Sequence, residues 1–299
     1  MANITITTAA VFVPEVWQAE VRAFLRSKLR LGGIVKSINF IGKAGDIVHI
    51  PDITEMTASN KAASTDVTFQ ATTETEFTLT IDKHKESSFL LEDLAKIQSA
   101  TDLRSEYTKS AGYAIAKAID TDIWGLHTSF AAAKKVIGGD GVTQWSSTAN
   151  TNTGNGTDLT DAGIRRMIET LDGLDVPEED RYLVIHPSQK NVLLGIARFT
   201  EYQFYGTADP IRSGMFGEIY GVKVLVTTQA PQILATDGTT AYKVNLMMHK
   251  DALALAIQLN PRVQADYLIE KLSWAVVTDA VYGVKIFRTT HVLAAVTPA

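Results

Sequence analysis

Apolar and polar positions change period several times along the chain, and each change marks an element. Residues 1–13 are rich in Thr and Ala and show no helical period, so they read as an extended arm. Pro14 opens a helical pattern, since its fixed φ suits a first helical turn. Trp17, Val21, Phe24, Leu25 and Leu29 then share one face. Arg22, Arg26 and Arg30 recur every four residues on a basic face, and Gly32 and Gly33 stop the run. Between 40 and 82 the chain reads as a long two-stranded excursion. GDIVHIPDI (45–53) is a short apolar arm broken by Pro51. In its partner Val67, Phe69, Ala71, Phe77, Leu79 and Ile81 alternate with Thr68, Gln70, Thr78, Thr80 and Asp82, which predicts a half-buried strand. The segment TEMTASNKAASTD (54–66) between the arms is small and polar. A hairpin tip of that length is unusual in a compact domain, and such loops are often functional.

Residues 89–129 form the strongest helical stretch. Leu103, Tyr107, Ala111, Ala114, Ala118 and Ile115, Ile119, Ile123, Leu126 make a wide stripe at spacings of three and four. From 101 to 129 such a helix would be roughly 40 Å long at about 1.5 Å per residue, long enough to act as a spine. The Gly/Asn/Thr/Ser run at 138–160 predicts a surface loop and a domain boundary. LTDAGIRRMIETLDGL (159–174) is a second amphipathic helix. YLVIH (182–186) is a buried strand ended by Pro187, with Ser188 expected to cap a following helix. Strand-like runs follow at 214–231 and 241–259, and two more at 274–298 around Tyr282-Gly283. Helices and strands mix without regular βαβ repetition, so the class is α+β.

Composition narrows the chemistry. The chain has 299 residues and no cysteine, which excludes disulfide frameworks, thiolate metal sites and cysteine nucleophiles. A formal charge of −5 argues against a dedicated nucleic-acid binder and permits weak contact through local patches. No secretory signal or membrane span is legible, and no membrane partner is expected. G-x-S-x-G, the phosphate-binding G-x-x-x-x-G-K-[ST] and H-E-x-x-H are missing. Gly214, Gly217 and Gly221 precede a strand rather than a helix and read as turns. Asp120 and Asp122, two apart on the spine, point in different directions and make no carboxylate pair. Glu178, Glu179 and Asp180 read as a solvated turn. His186 ends a strand; with no nucleophile motif or carboxylate partner in view, a structural role is expected. No catalytic residue, cofactor or metal site is assigned.

The order of elements then becomes specific. VPEVWQAEVRAFLRSKL (13–29), GDIVHIPDI (45–53), VTFQATTETEFTLTIDKHKESSFLLEDL (67–94), RYLVIHPSQKNVLL (181–194), GEIYGVKVLVTTQAP (217–231), HKDALALAIQL (249–259) and VYGVKIFRTTHVLAAV (281–296) follow one another. In that order the chain resembles a tailed-phage major capsid protein of the Hong Kong 97 fold. The resemblance implies an N-terminal arm and helix at 1–36, an extended E-loop hairpin at 37–85 and a peripheral domain with the spine at 86–135. It further implies an axial domain at 136–259 and closing strands shared by both domains at 260–299. It implies assembly with itself into hexamers and pentamers of an icosahedral head around double-stranded DNA, in the host cytoplasm. Portal and cement proteins are possible further partners. Because the arm begins almost at Met1, a separate scaffolding protein is expected if one is used. Some members cross-link a lysine to an asparagine between subunits. Lys61 lies near the tip, but no acceptor motif matches and that chemistry is not carried over.

Physical argument points the same way. A two-stranded excursion is marginal alone in water, so its apolar face needs a partner, most simply a neighbouring subunit. The candidates for that interface are Trp17, Arg22, Arg26, Arg30, Thr57, Ser59, Asn60, Lys61, Phe77 and Leu79. An acidic container also lets DNA slide in and out. The competing readings are an encapsulin-like compartment of the same fold holding enzyme cargo, and an enzyme using His186.

Overall fold

A computed structural model describes residues 31–42, 45–53, 56–67, 69, 75–93, 103–196 and 217–299, with helix side chains from 107 onward. The strands in chain order are β1 (Lys36–Asn39), β2 (Ile47–Asp52), β3 (Thr75–Thr80), β4 (Lys83–Glu92), β5 (Lys135–Ile137), β6 (Arg181–Ile185) and β7 (Glu218–Ile219). They continue as β8 (Val222–Val226), β9 (Gln232–Leu234), β10 (Ala241–His249), β11 (Leu253–Leu268), β12 (Ser273–Ile286) and β13 (Val292–Pro298). Three helices, α1 (Leu103–Gly125), α2 (Asp161–Asp172) and α3 (Pro187–Leu194), complete the described regular structure apart from short 3-10 turns. The class is α+β, as expected.

Two sheets organise the molecule. One has four strands in the order β1-β11-β12-β4, with β11, β12 and β4 antiparallel and β1 parallel to β11. The other runs β5-β13-β10-β6-β8-β7, with β9 on β10. Strand β10 shows why alternation is lost there. Val244, Leu246 and Met248 pack with α1, while Met247 faces Ile164, Met167 and Leu171 of α2. Covered on both faces, the strand is a continuous buried run. Asn245 lies inside it, fully buried, and its hydrogen bonds are satisfied. It accepts from the His186 backbone N–H at 2.8 Å and donates to the Thr297 hydroxyl at 2.9 Å.

Helix α1 has 23 residues, roughly 35 Å at about 1.5 Å per residue. Ala111 is buried, and Ile115, Ala116, Ile119, Ile123 and Trp124 share a core with Leu246, Leu253, Leu255 and Tyr282. The spine thus bridges both sheets. Asp120 is buried and accepts from the Gly32 backbone N–H. Asp122 accepts from the Tyr282 hydroxyl at 2.8 Å and pairs with Lys83 and Lys85. Burial and that carboxylate both push the Tyr282 hydroxyl pKa upward. The two aspartates do point apart.

Several expectations need correction. Tyr107 and Ala114 are exposed, so the apolar face is narrower than the stripe and includes Thr108 and Gly112 instead. Residues 89–92 belong to β4, because Phe89 and Leu91 find cross-strand partners in Val276 and Trp274. Residues 67 and 69 are not strand: β3 begins at Thr75 because β2 ends opposite it, at Asp52, and a strand without a ladder partner does not persist. The last two strand runs break at 287–291, not at Tyr282-Gly283. Gly283 sits mid-strand, where a Cβ would collide with the Thr80 carbonyl and Leu79. The glycine is there for close approach, not for a turn. Tyr220-Gly221, by contrast, is a true turn between β7 and β8, with φ of 50° and 77°. Finally, His186 rather than Ser188 caps α3.

Candidate assembly site

The β2–β3 hairpin stands on β11 and β12. Val48, Leu79 and Ile81 pack on Ala254 and Ala256, and Leu79 is wholly buried. Phe77 meets the Phe287 ring edge-on at 5.0 Å. Lys285 donates to the Thr78 carbonyl and lies 5.2 Å from the Phe77 ring centre. His49 pairs with Glu76 at 3.1 Å on the exposed side. The sequence led us to expect cover for this apolar face partly from another subunit. Leu79 is instead buried by its own chain, because β11 places Ala254 and Ala256 where larger side chains would hold the hairpin off. Phe77 is half-covered by the same chain.

The connector beyond the hairpin is different. Thr57, Ser59, Asn60 and Lys61 are exposed, and so are four large apolar side chains. Ile53 is 83% exposed, Met56 67%, Val67 61% and Phe69 90%. Nothing in the chain's own described core receives them. A second exposed tip lies where β11 turns into β12, with Ile269 and Leu272 flanking Glu270 and Lys271. The polar reading of 54–66 missed Met56, and the strand reading of 67–71 hid Val67 and Phe69. A large apolar residue isolated in a Thr/Ala/Ser loop was the available signal. Trp17, Arg22, Arg26 and Arg30 lie outside the described residues.

The chemistry considered for His186 resolves into a cap. Its Nδ1 accepts from the Ser188 backbone N–H at 3.3 Å and meets the Ser188 hydroxyl at 2.9 Å. Partial burial and Lys243 lower its pKa. Glu178 and Glu179 are exposed, as a solvated turn requires, while Asp180 pairs with Lys223 at 3.2 Å. A charge cluster on the four-stranded sheet joins three strands. Asp279 accepts from Arg262 at 2.9 Å and lies 3.2 Å from His84 Nε2. Burial alone would raise the Asp279 pKa, but the hydrogen bonds it takes from the Arg262 guanidinium and the His84 ring hold it below the usual carboxylate range. Among the described residues no group of His, Asp and Glu is arranged to hold a metal. No described helix is long and apolar enough to cross a membrane.

The geometry is that of a subunit with braced sheets and projecting, apolar-tipped hairpins. The family model described as phage capsid protein matches residues 27–293. The chain belongs to the phage capsid protein family. This capsid protein matches none of the curated proteins. Among solved structures it is similar to one from Mycobacterium phage Che8, with TM-score 0.70 and 22% identity over 89% of this chain and 90% of that one. The capsid of cyanophage P-SCSP1u gives TM-score 0.69 at 16% identity, covering 88% and 86%. A virus-like particle from Pyrococcus furiosus gives 0.58 at 11% identity, covering 95% and 99%. At these identities the neighbours establish the fold. It is the Hong Kong 97-type capsid fold, and the chain is a structural major capsid protein, a virion component.

Proposed function

We propose that this capsid protein builds the hexamers and pentamers of an icosahedral phage head around double-stranded DNA, with the 53–69 connector resting on an adjacent subunit. The observation that carries the reading is the contrast within one hairpin. Its base is buried in its own chain, while Ile53, Met56, Val67 and Phe69 project uncovered. Each such side chain gains about 1.5–3 kcal/mol when buried, so a neighbouring copy that covers them is strongly favoured. Many modest contacts of this kind add up through multivalency. The test is to replace residues 57–64 by a two-residue turn. A shorter closed loop costs less entropy, so circular dichroism should show a folded subunit. Sedimentation should show fewer capsomers and shells. Full-sized shells at normal yield would contradict an intersubunit role.

Arg22, Arg26 and Arg30 recur every four residues in the sequence, and we propose that this basic run meets packaged DNA, scaffold or a neighbouring subunit. Reversing the charge of Arg22 and Arg26 should lower assembly or DNA content while the subunit stays folded. Unchanged particle yield and DNA content would refute that role. Scaffolding, portal and cement proteins are further partners of such a head, and host cytoplasm is the place of assembly. An encapsulin-like compartment shares the fold; particle contents separate the two, genome DNA against enzyme cargo.

A further inference from the structure

The loop between β5 and α2 folds around the ring of Tyr242 and carries the chain's single Asn-Gly pair, Asn155-Gly156. We propose that this pair is a site of self-modification. While the loop is closed the asparagine is shielded; when the loop opens it deamidates to aspartate or isoaspartate, and the product keeps the loop open.

The chemistry needs only the chain and water. The Gly156 backbone nitrogen attacks the Asn155 side-chain carbonyl carbon. An N–C bond forms, the bond to Nδ2 breaks, and the Gly156 amide proton leaves with Nδ2 as ammonia. Water then opens the five-membered imide at either carbonyl, giving aspartate or isoaspartate. A glycine in second place favours the attack, since no Cβ shields its nitrogen.

Packing imposes both members of the pair. A Cβ on Gly156 would lie 2.3 Å from the Tyr242 ring, so no residue with a side chain can stand there to slow the attack. The ring itself is fixed: its hydroxyl donates to the Thr153 carbonyl at 2.5 Å, and Trp145 meets it edge-on at 6.3 Å. Asn155 must both accept and donate. Its Oδ1 accepts from the Ser146 backbone N–H at 2.7 Å, and its Nδ2 donates to the Gln144 carbonyl at 3.0 Å. An aspartate would do only the first.

The same two bonds are the shield. They clasp the end of the loop to its start, eleven residues back at Gln144. Nδ2 cannot depart without breaking the bond to that carbonyl, so the reaction draws on the opened loop. Once the amide has gone, a carboxylate oxygen faces the Gln144 carbonyl with no proton between them, and the clasp does not re-form. The nearby Asp237-Gly238 pair lacks this route. Hydrogen bonds from the Thr240 hydroxyl and from the Thr240 and Thr239 backbone N–H groups hold the Asp237 pKa at about 2, and an ionised carboxylate resists attack.

The test incubates the full chain in mildly alkaline buffer, folded in one arm and in denaturant in the other. Peptide mass spectrometry then follows the exchange of amide for carboxylate at Asn155. The unfolded arm should deamidate at least about tenfold faster, because local opening is a minor state of the folded chain. Asn155→Asp reproduces one product. Its circular dichroism should match the parent, while amide hydrogen exchange over residues 138–160 alone becomes faster. Equal rates in the two arms would overturn the shielding, and an unfolded chain that keeps its Asn155 amide would overturn the site. An Asn155→Asp chain that exchanges like the parent, or that unfolds altogether, would overturn the opening of the loop as the consequence.

Discussion

At the scale of single residues, His249 and His291 form a pair that responds to a change of pH. Their rings meet edge-on at 5.7 Å, where β10 passes into β11 and β12 into β13 through short 3-10 helices. His249 Nδ1 accepts from the Asp251 backbone N–H at 3.1 Å, and His291 Nδ1 lies 2.8 Å from the Thr290 hydroxyl. Burial lowers both pKa values. Arg288 lowers both further, with Arg181 acting on His249 and Lys134 on His291. Asp251 opposes this at both rings, and Asp180 at His249. The folded chain therefore binds fewer protons than the unfolded one below the ordinary value of 6.5. Stability is full above that value and falls as the pH drops through it. Thermal unfolding between about pH 7.5 and pH 5 should show a declining midpoint. The pair His249→Asn and His291→Gln should flatten that slope, leaving the share owed to His127 and His186, whose pKa values are lowered too. An unchanged slope in the double variant would remove the pair from the account.

At the scale of elements, the spine is the clearest case. Ile119 is 1% exposed and belongs to the core cluster that residues of both sheets share. Replacing it with Asp puts a carboxylate among apolar side chains, at a cost of several kcal/mol or a shifted pKa. Soluble folded protein should be lost; normal particles at normal yield would mean the helix face is misassigned. The 3.6 period makes this helix legible and period two makes β3 so, while β4 escapes because its last residues read as the start of the helical stretch. What failed in the sequence depended on partners. Val67 and Phe69 alternate like a strand, yet no ladder faces them, so they stay outside one. Gly283 looks like a turn glycine, yet a close backbone approach from β3 puts it mid-strand. Leu79 looked like an interface residue because the alanines of β11 that bury it lie about 175 positions downstream. The tip at 269–272 is not legible in the sequence, since no pattern of apolar spacing reveals a left-handed leucine.

At the scale of the whole molecule, the described residues form two large sheets tied by helix α1, with a hairpin and a strand-end tip projecting uncovered apolar groups. A monomer working alone would bury such groups or replace them with polar ones. A shell subunit keeps them for its neighbours. The phage capsid family match and the capsid neighbours agree with that design. The most direct measurement is electron microscopy of the purified, assembled protein. The account predicts closed icosahedral particles of hexamers and pentamers, with density from the 53–69 connector lying on the adjacent subunit. A population of dispersed subunits under assembly conditions, or closed particles whose connector folds back on its own chain, would contradict it.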